Sequence, residues 1–104
     1  MTSFGLKQEV IEQIKVVIAR CSKVTRAVIF GSRAKGNYKK YSDIDICLFG
    51  KVSSEEAEWV RSELDELNVI YEFDVVSFEE VKSDELKEHI VRCGVEFYSR
   101  KDRL

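Results

Sequence analysis

Apolar residues recur along this chain in two rhythms, one helical and one extended. Leu6, Val10, Ile11, Ile14, Val17, Ile18 and Cys21 fall three and four apart, which lays one stripe along a helix and predicts such a helix from about residue 5 to 21. Ala27-Val28-Ile29-Phe30 is a short run of β-formers that ends at Gly31, and Ile44 to Phe49 repeats the form with Gly50 as its close. Both runs predict buried strands that deliver the chain into turns. Ser53 and Glu56 have the spacing of a capping box, and Ala57, Val60, Leu64 and Leu67 extend a helical stripe to about residue 67. Val69 to Val76, with Ile70, Tyr71, Phe73 and Val75 supplying bulk, predicts a third strand. Leu86, Ile90 and Cys93 mark a third long helix, with Gly94 where helices commonly end, and Val95 to Tyr98 adds a short edge strand.

That order of elements predicts an α/β (α+β) domain: a small mixed sheet of three to four strands flanked by helices. The chain has 104 residues and no proline, and it contains no linker or internal repeat, so residues 1–104 are expected to form a single domain. Ligands gather at strand ends in such sheets, which directs attention to the residues just after Phe30 and just before Ile46.

Composition narrows the function by exclusion. The formal net charge of −2 does not suit a general nucleic-acid or membrane binder. No apolar run approaches the length of a membrane span and the N-terminus lacks a signal core, so a cytoplasmic protein is expected. Cys21, Cys47 and Cys93 are odd in number and widely separated, as expected of thiols in a reducing compartment rather than of a zinc or disulfide framework. Charge is uneven locally: Arg33, Lys35, Lys39 and Lys40 form a stretch without an acid, whereas the segment from Glu55 to Glu66 is acid-rich. A basic stretch beside carboxylates suits a polyanion held with metal ions, and without those carboxylates it would read as a solvated loop.

The chemistry lies in one constellation. Gly31 lets the backbone turn sharply towards a phosphate, and Ser32 adds a hydroxyl at the start of a helix of barely one turn that Gly36 would end. Arg33 is a further phosphate candidate, although its side chain could equally meet solvent or a surface acid. After ten intervening residues beyond Ser32, Asp43 and Asp45 stand two apart at the start of a strand, so alternation aims both carboxylates to one face. Two like charges this close repel unless a divalent cation relieves them; otherwise Ser42-Asp43 is a solvated turn and only Asp45 needs explaining. Asp74 is a third acid, interrupting the apolar run Phe73-Asp74-Val75-Val76, where an unpaired charge is costly to bury. Glu72 shares its face and could serve instead, but Asp74 lies deeper in the run.

Gly31-Ser32, the ten-residue gap, Asp43-Ile44-Asp45 and the later strand acid Asp74 resemble the nucleotidyltransferase superfamily related to DNA polymerase β. Within it, Gly-Ser-Arg-Ala-Lys-Gly followed by Ser-Asp-Ile-Asp is similar to the minimal nucleotidyltransferases, which are often the antitoxin of a two-gene module whose partner is a small all-helical, HEPN-like protein. The motif residues lie between Phe30 and Asp74, and the order of elements matches over nearly the whole chain. The resemblance implies transfer of a nucleoside monophosphate, AMP from ATP, to a hydroxyl on the partner. Asp43, Asp45 and Asp74 would hold two Mg²⁺ ions, and Gly31, Ser32 and Arg33 would contact the nucleotide. The alternative is a catalytically weak or inactive nucleotide-binding module that neutralises its helical partner by contact. Larger superfamily members carry a further helical domain, so acceptor recognition is expected from another subunit. His89 and Trp59 are set aside as surface or half-buried residues, and Tyr38 and Tyr41 as cover for the basic loop.

Overall fold

A computed structural model describes residues 2–100. A hairpin of β1 (Thr2–Ser3) and β2 (Leu6–Lys7) leads into α1 (Gln8–Ala19), followed by β3 (Val24–Phe30), the one-turn α2 (Ser32–Lys35), β4 (Ile44–Gly50) and α3 (Ser54–Asp65). Then come β5 (Phe73–Ser77), a 3₁₀ turn (Phe78–Glu80), α4 (Asp84–Cys93) and β6 (Val95–Ser99). The last four strands of the chain form one sheet in the order β5-β4-β3-β6. β3 runs antiparallel to β4 and β6, whereas β4 and β5 are parallel. A parallel pair needs a crossover connection, and α3 supplies it.

Alternation divides the sheet residues between two apolar layers. Ile29, Ile44, Ile46, Leu48, Phe73 and Val75 pack against α1 and α3, while Val28, Phe30 and Cys47 on the other face pack against Ile90 and Leu86 of α4. α3 begins on the expected capping box: the Glu56 N–H donates to the Ser53 hydroxyl at 3.1 Å, and the Ser53 N–H donates to the Glu56 carboxylate at 2.9 Å. Among the described residues, no helix is long and apolar enough to cross a membrane. Cys21, Cys47 and Cys93 are free thiols, and burial pushes the Cys47 thiol up to about 12.

The structure departs from the sequence expectation in places, and β3 begins at Val24 rather than Ala27. The first helix starts at Gln8 because Leu6 and Lys7 are extended and pair with Ser3 and Thr2, across a turn in which Phe4 and Gly5 both adopt positive φ, 59° and 73°. Leu6 is fully buried as expected, but from a strand of the preceding hairpin. The third predicted strand loses residues 69–72: pairing begins at Phe73 opposite Ile44, and Ile70 is 66% exposed. Gly94 does end α4, yet in an extended conformation (φ −68°, ψ 142°). Its requirement is space, since a Cβ there would lie 2.5 Å from the Ile90 carbonyl oxygen and 3.0 Å from Val28 Cγ2.

Candidate active site

The site is assembled where β3, β4 and β5 lie side by side. Register sets Phe30 beside Asp45 on one flank and Asp74 beside Asp45 on the other. The Ile44 N–H donates to the Glu72 carbonyl at 2.9 Å, which fixes the entry of both parallel strands. Asp43 immediately precedes β4. On the face occupied further along by Cys47 and Val76, Asp45 is therefore the central acid of three.

Gly31 closes the site from the β3 side. The chain leaves Phe30 with φ 76° and ψ −152° at Gly31, a conformation reserved for glycine. A Cβ at that position would also collide with Asp45 Oδ2. Gly31 is thus required both by its backbone angles and by the carboxylate lying on its Cα. Beyond it Ser32 opens α2, and Gly36 ends this turn in the left-handed region at φ 85°, with its N–H donating to the Ser32 carbonyl at 2.9 Å.

Exposure distinguishes the acids. Asp45 is half-buried, while Asp43, Glu72 and Asp74 are exposed. Burial first, and then the Asp74 and Asp43 carboxylates, hold the Asp45 carboxyl above its ordinary range. Asp74 was expected to interrupt a buried run, but β5 buries alternate residues: Phe73 and Val75 are buried and Asp74 between them faces water. Its relevance rests on its place beside Asp45, not on desolvation.

The donor set is composed of hard carboxylate oxygens, which suits Mg²⁺, and the unrelieved repulsion at Asp45 is what a divalent cation would neutralise. Among the described residues, no three His, Cys, Asp or Glu side chains are already drawn into a metal-holding group. Asp43 and Asp74 form no side-chain hydrogen bond there, leaving both carboxylates free to rotate inward. By charge, donor type and freedom, the residues fit the ion.

Arg33 has a different position from the one expected of a phosphate ligand. It is 2% exposed, and its guanidinium donates to the backbone carbonyls of Phe4, Lys40 and Ser42. Neither solvent nor a surface acid receives it. Tyr38 covers this guanidinium, with the ring centroid 5.1 Å from Cζ, and Tyr41 is 62% exposed. His89 is half-buried and meets the Phe30 ring edge-to-face at 6.2 Å, so α4 brings it to the strand next to Asp45. Its helical stripe gave no sign of this, because His89 lies on the flank of α4 and only the crossing of α4 over β3 determines what that flank meets.

A glycine-led turn against paired strand carboxylates on a mixed sheet defines a class of nucleotide-handling proteins, and the family comparison agrees. The chain belongs to the polymerase beta, nucleotidyltransferase family, whose model matches residues 12–103. No curated protein matches the sequence significantly. Its fold is that of several solved structures. A mutant of the toxin–antitoxin pair MntA-HpeT superposes with a TM-score of 0.70 at 16% identity, covering 88% of this chain and 74% of that one. The Shewanella oneidensis complex of a tri-AMPylated HEPN toxin with its MNT antitoxin gives a TM-score of 0.69 at 18% identity, covering 89% and 72%. A toxin–antitoxin structure with AMP-PNP gives 0.65 at 19% identity, covering 84% and 74%.

Proposed function

We propose that this protein transfers AMP from ATP to a hydroxyl of a small all-helical partner and thereby acts as the antitoxin of a toxin–antitoxin pair. The observation that carries the reading is Asp45, seated on Gly31 with Asp74 beside it on β5, its carboxyl raised by burial first and then by the fields of Asp74 and Asp43. Membership of the nucleotidyltransferase family supports the class of reaction. The AMP group and the protein acceptor are supported by the Shewanella pair, in which the HEPN toxin is tri-AMPylated in complex with its MNT antitoxin. Free thiols suit a reducing compartment, and the cytoplasm is the proposed place of action.

In this reading Asp43 and Asp45 would hold the cation that accompanies the triphosphate, and the absence of a side chain at Gly31 leaves room for the Asp45 carboxylate beside the turn. Ser32 donates its hydroxyl, and Gly31 its backbone N–H, to the outer phosphates. Asp74, exposed beside Asp45, accepts the proton of the incoming hydroxyl as oxygen attacks the α-phosphorus and pyrophosphate departs. Mg²⁺ bound by the three carboxylates as two ions would supply neutralisation of the phosphates and of the leaving group. Arg33, committed to backbone carbonyls, takes no part in holding phosphate.

Incubation with α-labelled ATP, Mg²⁺ and the helical protein encoded by the adjacent gene tests this. Label should appear on the partner with wild type and be lost with Asp43→Asn/Asp45→Asn; equal labelling by that double variant would overturn the reading. A second reading, neutralisation by contact alone, is supported by the Shewanella pair, in which the HEPN toxin is held in complex with its MNT antitoxin. It predicts that the double variant, with its complex intact, neutralises the partner fully.

A further inference from the structure

We propose that Arg33 is a positioning residue of the carboxylate site: it clamps the turn that delivers Asp43 and ties the N-terminal hairpin to that turn. The proposal rests on the reading of Asp43 as a metal and nucleotide ligand, and its test separates the two. Arg33 Nε and Nη2 both donate to the Ser42 carbonyl, at 3.1 and 2.9 Å. That carbonyl belongs to the peptide joining Ser42 to Asp43, so the two-pronged grip fixes the plane from which the Asp43 side chain departs. Nη2 also reaches the Lys40 carbonyl at 3.4 Å, and Nη1 donates to the Phe4 carbonyl at 2.8 Å.

The partners of this buried cation are unusual. Among the described residues it has no carboxylate partner; carbonyl dipoles and the rings of Tyr38 and Tyr71, with centroids 5.1 and 4.9 Å from Cζ, surround it. Turning the guanidinium out to a phosphate would strand these carbonyls and give up its contact with both rings. Buried polar groups that lose their partners are penalised heavily, so the geometry favours a fixed clamp over a mobile phosphate ligand.

The same contact explains the hairpin. Phe4 is the only non-glycine residue with positive φ among the described residues, and its carbonyl is the one that Arg33 Nη1 holds. Gly5 follows with its Cα packed so closely on Tyr38 that a Cβ would overlap the ring. Hairpin, Arg33 and the approach to β4 therefore form one unit, although their residues are far apart in sequence.

Three variants of the full chain test the clamp: Arg33→Met, Arg33→Lys, which keeps the charge but not the fork, and Gly5→Ala. Amide hydrogen exchange is read without metal or nucleotide. Residues 37–43 should exchange about tenfold faster in both Arg33 variants, and also in Gly5→Ala, with α3 unchanged. Mn²⁺ affinity, read by electron paramagnetic resonance without nucleotide, should weaken by about tenfold or more in Arg33→Met, the usual effect of losing a group that orients a metal ligand. Transfer should then lose kcat while the KM for ATP stays within about twofold. The opposite pattern, weaker ATP binding with exchange and Mn²⁺ affinity unchanged, would overturn the proposal and restore Arg33 as a phosphate ligand. If wild type takes up no Mn²⁺, the metal reading of the carboxylates fails, and the exchange data alone decide the clamp. If Arg33→Met does not fold, Arg33→Lys and Gly5→Ala carry the same comparison.

Discussion

The two faces of β4 differ in kind, although they share one backbone. Ile44, Ile46 and Leu48 are fully buried beneath α1 and α3, whereas the alternate residues run from a half-buried acid at Asp45 to a buried thiol at Cys47. α4 packs over Cys47 and over Phe30 beside Asp45, and Asp45 itself stays half-buried. Stability and chemistry are thus separated by a period of two along one strand. A substitution on one face should move a different observable from its neighbour on the other.

The largest effect on stability should come from Ile46→Ala. Emptying a fully buried aliphatic position costs about 2–5 kcal/mol, visible in a urea titration. The comparison predicts that transfer per folded molecule stays close to wild type. Asp45→Asn should do the reverse: transfer falls at least about 100-fold, more than outer-shell changes at metal sites commonly cause, while the unfolding midpoint does not fall. If Ile46→Ala abolishes transfer in molecules shown to be folded, the separation of the two faces is wrong.

Metal should act on one face only. Mg²⁺ at ten times its dissociation constant stabilises the native state by about 1.4 kcal/mol. Wild type should show that gain in thermal unfolding, Ile46→Ala should show the same increment from a lower start, and Asp43→Asn/Asp45→Asn should show none. An equal shift in all three would mean that the ion binds elsewhere.

Much of this was legible in sequence, for reasons that differ by residue. Ser53 and Glu56 announce the start of α3 because a capping box is local chemistry. Gly31, Asp43 and Asp45 are legible because a turn and a period-two strand are local geometry. The pairing of β4 with β5, and with it the place of Asp74 beside Asp45, is tertiary: it depends on α3 as a crossover and could be expected only as one of several arrangements. Ile70 has the β-branched bulk of a strand residue, but without a pairing partner that preference leaves it in a loop. Leu6 fits the helical stripe by spacing, and its pairing with Ser3 across the Phe4-Gly5 turn is what removes it from the helix. Arg33 was the hardest residue to place, because a long cationic side chain beside Gly31-Ser32 carries no local mark that its partners are carbonyls of Phe4, Lys40 and Ser42.

The smallest predicted effect contrasts two carboxylates, Asp45 and Glu56, through pH. Asp45 is raised, by burial and then by Asp74 and Asp43, so the native state holds its proton more tightly than the unfolded chain. Stability should therefore fall as pH climbs from the ordinary aspartate value of about 3.9 through the raised one, and the penalty is absent below that window. Glu56 is lowered, first by the Ser53 N–H. Its contribution is present above the ordinary glutamate value of about 4.3 and is lost as pH falls through the lowered one. Unfolding midpoints measured from pH 3 to 7, without metal and at low salt, should separate the two. Asp45→Asn should remove a falling limb and Glu56→Gln a rising one, with Mg²⁺ flattening the wild-type fall in the same sense as Asp45→Asn. Parallel curves for wild type and Asp45→Asn would mean that the three acids do not share a field in solution, and the chemical face of β4 would lose the property that distinguishes it from the other.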